Sequence, residues 1–213
     1  MQIDSYELYH IGSKLNPATD FNTLKSKLKE KFAATGYSVI NEPPIENLFL
    51  PKNPVEVIAT KDTVRVEHNI LAQALNVIGT NVDNVQELFN DLINELMDLE
   101  YEIDDLIIFY EIIATVIIKV DERPIDILNR SLSLDTSSFP VKDIPDWDIY
   151  GIKVRGTNNL KNAFFNAFIE PNPTNPNSRF KLKLQYRSRE KENIQEFSNE
   201  LDLKIRNLIA NLG

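Results

Sequence analysis

The chain's clearest hydrophobic pattern is a strict alternation. In RFKLKLQYRSR (179–189), Phe180, Leu182, Leu184 and Tyr186 interleave with Arg179, Lys181, Lys183, Gln185, Arg187 and Arg189. Period two predicts a strand with an apolar face on a core and a basic face away from it. Lys153 and Arg155 of IYGIKVR (149–155) extend that basic face. Helical spacing dominates elsewhere. Val85, Leu88, Phe89, Leu92, Ile93 and Leu96 fall on one stripe, as do Ile194, Phe197, Leu201, Ile205, Leu208 and Leu212. DFNTLKSKLKEKF (20–32) and PIDILNRSL (124–132) are further helical segments. QIDSYELYHI (2–11), VEVIAT (55–60), ALNVIGT (74–80) and FFNAFI (164–169) read as strands. LIIFYEIIATVIIKV (106–120) is apolar on both faces. It is too short for a membrane span, which needs about 20 residues, and its β-branched residues favour a buried strand.

One segment is written twice. NVQELFNDL (84–92) returns as NIQEFSNEL (193–201), an offset of 109 residues. At the same offset ALNVIGT faces KLQYRSR (183–189), and VEVIAT faces FFNAFI. Upstream the offset slips while the order of elements holds, with PPIENLF (43–49) resembling PDWDIYG (145–151). Each half then reads strand, helix, three strands, helix. The expected fold is α+β: internally duplicated β-α-β-β-β-α halves, 1–104 and 105–213, joined in one curved, mainly antiparallel sheet. About eight strands would carry four helices on one face. In element order this resembles the duplicated saddle of TATA-binding proteins. The resemblance assigns no functional residues. A parity conflict adds a detail. Val64 and Val66 fit the core in one register, and Leu71, Gln73, Leu75 and Val77 in the other. A bulge or break near Glu67–Ile70 would reconcile them.

Composition narrows the chemistry. Cysteine is absent, so disulfides and thiolate sites are excluded, which suits a cytoplasmic protein. The first residues, MQIDSYELYH, lack a signal peptide's basic and apolar regions. Six glycines form neither a dinucleotide fingerprint nor a phosphate loop, and there are only two histidines. No cofactor or metal is expected. Asp146 and Asp148 of PDWD are paired carboxylates, but Pro145 and Trp147 between and beside them fit a turn and anchor.

Net charge is −9, which disfavours a general nucleic-acid binder, yet the charge is segregated. Asp83, Glu87, Asp91, Glu95 and Asp98 stack along the face of one predicted helix, and like charges at i, i+4 oppose helix formation. Arg179, Lys181, Lys183, Arg187 and Arg189 form a candidate surface for a polyanion or an acidic protein. The plain alternative is a solvated face that discourages aggregation. Ile107, Phe109 and Ile113, on the second face of 106–120, form a candidate self-association surface. The expected function is a non-enzymatic protein-interaction module acting as a homodimer. The alternatives are a nucleic-acid binder using the basic face and a carboxylate enzyme with a cleft between the halves.

Overall fold

Two long strands lie side by side at the centre of one sheet. In the computed structural model, which describes residues 1–40, 55–132, 150–158 and 162–212, they are β1 (Gln2–Leu15) and β6 (Ile107–Lys119). The first half of the chain continues with α1 (Phe21–Ala34), β2 (Ser38–Val39), β3 (Val55–Lys61), β4 (Val64–Asn69), β5 (Ala74–Gly79), α2 (Val82–Asp98) and α3 (Ile103–Leu106). After β6 come α4 (Pro124–Leu132), β7 (Ile152–Asn158), β8 (Ala163–Pro171), β9 (Arg179–Ser188), α5 (Lys191–Asn199) and α6 (Leu201–Ala210). The sheet order is β2-β3-β4-β5-β1-β6-β9-β8-β7, and every pairing is antiparallel. The fold is thus α+β with a nine-stranded antiparallel sheet among the described residues. No helix there is long and apolar enough to cross a membrane.

Alternation decides which face the helices cover. Tyr9, Ile11, Leu75, Val77, Ile112, Ala114, Val116, Leu182 and Leu184 are buried in one continuous core. Above them lie Leu24, Leu28 and Phe32 of α1, Val85, Phe89 and Leu92 of α2, Leu128 of α4, and Ile194, Leu201 and Ile205 of α5 and α6. Each such aliphatic or aromatic side chain contributes about 1.5–3 kcal/mol on burial. Caps fix the helix starts: Asp20 accepts from the Thr23 backbone N–H, and Asn81 from that of Asn84 (3.0 Å).

The break expected near Glu67–Ile70 is present, as a full turn at residues 70–73 between β4 and β5. Leu71 is exposed there, while Val64, Val66, Leu75 and Val77 are buried. Other expectations change. The constant offset of 109 fails one strand back from the helix. It would equate β3 with β8, but β3 is two strands from β5 and parallel to it, whereas β8 is the antiparallel neighbour of β9. The second helical stripe is two helices, α5 and α6, meeting at Glu200. Ile107 is a core residue. A register shift between Lys14 and Leu15 pairs Leu15 with Ile107 and Lys14 with Phe109, which skips Ile108 and reverses the parity. PPIENLF and most of PDWDIYG, including Asp146, Trp147 and Asp148, lie outside the described residues.

Under α1 the core face carries a polar cluster. Glu56 and His68 sit opposite each other on β3 and β4, both nearly inaccessible. Burial alone would raise the Glu56 pKa, but hydrogen bonds from Lys25 (3.1 Å) and Lys29 (3.3 Å) outweigh it and hold the carboxylate below its ordinary value. His68 stacks on Phe21, and neither ring nitrogen has a partner. Desolvation lowers its pKa from 6.5 to about 4, with Glu56 opposing. The unfolded chain therefore takes up this proton first. Stability is full above pH 6.5 and falls as pH drops toward 4, by up to about 1.4 kcal/mol per pH unit for this group. Denaturant titrations of wild type and His68→Phe between neutral pH and pH 5 measure this contribution. The variant is expected to show the shallower loss; equal slopes would contradict the assignment.

Candidate interaction face and interhelical cleft

The sheet face without helices is ordered by register. Glu67, Asn76, Gly12, Glu111, Arg187 and Phe164 form one row across β4, β5, β1, β6, β9 and β8. The adjacent row runs Ile78, His10, Ile113, Gln185, Asn166, Arg155. At position 12 any larger residue would displace two side-chain ends. A Cβ there would sit 2.7 Å from Asn76 Oδ1 and 2.8 Å from His10 Nε2. Burial also lowers the pKa of His10, with Asn76, Glu111 and Glu67 opposing.

Four of the five row cations are on this face, and each meets a carboxylate. Arg179 reaches Asp4 (3.0 Å), Lys181 reaches Glu7 (2.6 Å) and Lys183 reaches Glu170 (3.4 Å). Arg187 donates to Glu111 Oε2 from Nη2 (2.6 Å) and Nε (3.0 Å), and Gln185 donates to the same oxygen (2.6 Å). Asp4 and Glu7 are in place because β1 shifts register between Ile3 and Ser5 and again between Tyr6 and Leu8, at those two residues. Arg189 lies beyond β9. It lines a hollow of about 670 Å³ with Glu100, Glu102 and Asp104. The self-association residues separate in the same way: Ile107 is in the core, while Phe109 and Ile113 are half-buried on the helix-free face. The Arg187 guanidinium stands over the Phe109 ring at 4.2 Å, and Arg155 over Phe164 at 5.2 Å.

The acidic helix is compensated from neighbouring elements. Lys31 lies 3.7 Å from Glu95 and 3.6 Å from Asp98, Lys61 lies 3.2 Å from Glu87, and the Tyr37 hydroxyl donates to Asp91. No cluster of three His, Asp or Glu side chains suited to a metal occurs among the described residues.

On the helix face, the two copies of the repeated segment meet. A cleft of about 270 Å³ lies between α2 and α5, lined by Gln86, Phe89 and Asn90 on one side and Ile194, Gln195, Ser198 and Asn199 on the other. Ile11 of β1 also lines it. Gln86 and Gln195 are the same position of the repeat, as are Asn90 and Asn199. The Gln86 amide donates to Ser198 Oγ (2.5 Å), and the Gln195 amide to Asn90 Oδ1 (3.2 Å). Ser198 Oγ also shares a hydrogen bond with the fully buried Tyr9 hydroxyl, whose pKa burial raises to about 12. Alternation and helical period did not single out these residues. The repeat contained the signal, because Gln and Asn recur in it four residues apart and so share a helix face.

No protein family, curated protein or solved structure matches the chain.

Because carboxylates in the sheet neutralise the row, removing them should expose it. Glu7→Gln, Glu111→Gln and Glu170→Gln together should raise the salt needed to elute the protein from heparin. Unchanged elution by the folded triple variant would show that these ion pairs do not mask the cations.

Proposed function

We propose that the chain is a non-enzymatic binding module of two like halves, 1–104 and 105–213, that self-associates through the helix-free face of its sheet. The two-half reading is supported by strand order rather than by a fixed offset. Moving outward, β5, β4 and β3 follow β1 as β9, β8 and β7 follow β6. In each half the strand beside the centre leads into the helix that carries the repeated Gln and Asn. The order of elements along the chain resembles that of the TATA-binding-protein saddle, whereas the charge of the face does not favour a nucleic-acid ligand. A phosphate backbone is held by cations free to replace counterions, and here four row cations already have carboxylate partners. The enzyme reading needs carboxylates in a cleft between the halves; the cleft between α2 and α5 has carboxamides and a hydroxyl, and the carboxylates Glu100, Glu102 and Asp104 line the separate hollow beside Arg189.

The observation that carries the proposal is Arg187, stacked on Phe109 and tied to Glu111. Arginine and aromatic side chains are the groups that anchor protein interfaces, especially where their polar atoms are already satisfied. Both charge signs and the half-buried Ile113 share the face, so two copies related by a twofold axis can present complementary patches. The whole face is about the size of one side of a standard interface: eight gaps of about 4.8 Å between nine strands, with about 20 Å of strand length, give roughly 770 Å², against about 800 Å² per partner.

Sedimentation at tens of micromolar tests this. The wild type is expected to run as a dimer, and Phe109→Lys as a monomer with an unchanged circular dichroism spectrum. A monomeric wild type would refute self-association, and a dimeric Phe109→Lys variant would move the interface elsewhere.

A further inference from the structure

We propose that the cleft between α2 and α5 binds a small, neutral, planar molecule carrying an amide-type donor–acceptor edge, the chemistry of a free nucleobase. This site is separate from the sheet face and does not depend on how that face is used.

The lining defines the ligand by exclusion and by fit. None of the lining side chains is charged. A charged ligand would lose its hydration there with no opposite charge to compensate, which is costly. Apart from the Ser198 hydroxyl, the polar groups are primary carboxamides, each offering two N–H donors and a carbonyl acceptor. The cross-cleft bonds use one N–H of Gln86 and one of Gln195. Gln86 also hydrogen-bonds to Tyr9, so the edge left for a ligand is the second N–H and the carbonyl oxygen of Gln195, with the Asn199 amide beside it. Such side chains pair with the edges of bases through two hydrogen bonds at once. Phe89, Ile11 and Ile194, all nearly buried, form an apolar floor on which one flat face of a ring can rest. The volume of about 270 Å³ lies just below the roughly 300–1,000 Å³ of pockets for drug-sized ligands, which fits a single ring system and leaves a ribose outside.

The repeat shows how the space arises. Phe89 of α2 corresponds to Ser198 of α5, the position at which the two copies differ most in size. Ser198 is small where its counterpart is aromatic, and it places a buried hydroxyl between Tyr9 and Gln86 instead of a ring.

The test follows the side-chain NH₂ resonances of Gln86, Asn90, Gln195 and Asn199 by NMR during titration with uracil, cytosine and adenine. Uridine distinguishes a nucleoside from a free base, and glucose serves as the neutral non-planar control. At least one base is expected to shift these resonances saturably, with half-saturation at about 1 mM or below. Uridine is expected to bind no more tightly than uracil, and glucose to leave the resonances unmoved. Asn199→Leu, an exposed position at the cleft, and Gln195→Leu should each weaken the response about tenfold. The proposal is overturned if no base moves these resonances at about 10 mM. It is equally overturned if glucose moves them as strongly, or if both folded variants respond like the wild type.

Discussion

Antiparallel pairing of β1 with β6 is the constraint on which the rest depends. It joins strands of 14 and 13 residues from Gln2↔Lys119 to Leu15↔Ile107 and brings together residues 117 apart in sequence at one end and 92 apart at the other. Parity along this pair sends Tyr9, Ile11, Ile112 and Ala114 into the core and His10, Gly12, Glu111 and Ile113 to the opposite face. The interhelical cleft reaches down to Ile11, and the ion-paired row centres on Glu111. Both surfaces therefore rest on one register, and a one-residue slip would exchange them.

The two surfaces handle polarity differently. On the helix-free face, charges are balanced between strands, and two carboxylates reach their partners through the register shifts of β1. Exposed pairs of this kind contribute little stability, about 0–1 kcal/mol each. Their larger effect is to remove the positive potential that the basic strand would otherwise present. Over the seam on the helix side, neutral hydrogen bonds bridge α2 and α5 without filling the space between them. The net charge of −9 is thus a poor guide to either surface, because the cations and carboxylates that matter are spatial neighbours rather than sequence neighbours.

Much of the architecture was legible in the sequence. Alternation located β9, the helical stripe located α2, and β-branched content identified β6 as a buried strand. What escaped has physical reasons. The turn at Ile70-Leu71-Ala72-Gln73 contains no Gly, Pro or Asn; Asn69 just before it accepts from the Ala72 N–H (2.9 Å), and Gln73 adopts φ 46°. Register shifts have no residue signature of their own, so the burial of Ile107 and the placement of Asp4 and Glu7 could not be read in advance. The repeat pointed to α2 and α5. That Gln86 and Gln195 would face each other depends on the β1–β6 pairing, which is set by tertiary packing.

Native-state hydrogen exchange across increasing denaturant measures the central claim, that one seam unites the chain. Amides of Tyr9, Ile11, Ile112 and Ala114 are expected to exchange only through global unfolding, with β5 and β9 losing protection at the same denaturant concentration. If protection in β1 and β5 disappears while β6 and β9 stay protected, or the reverse, the halves unfold separately and the seam does not hold them together.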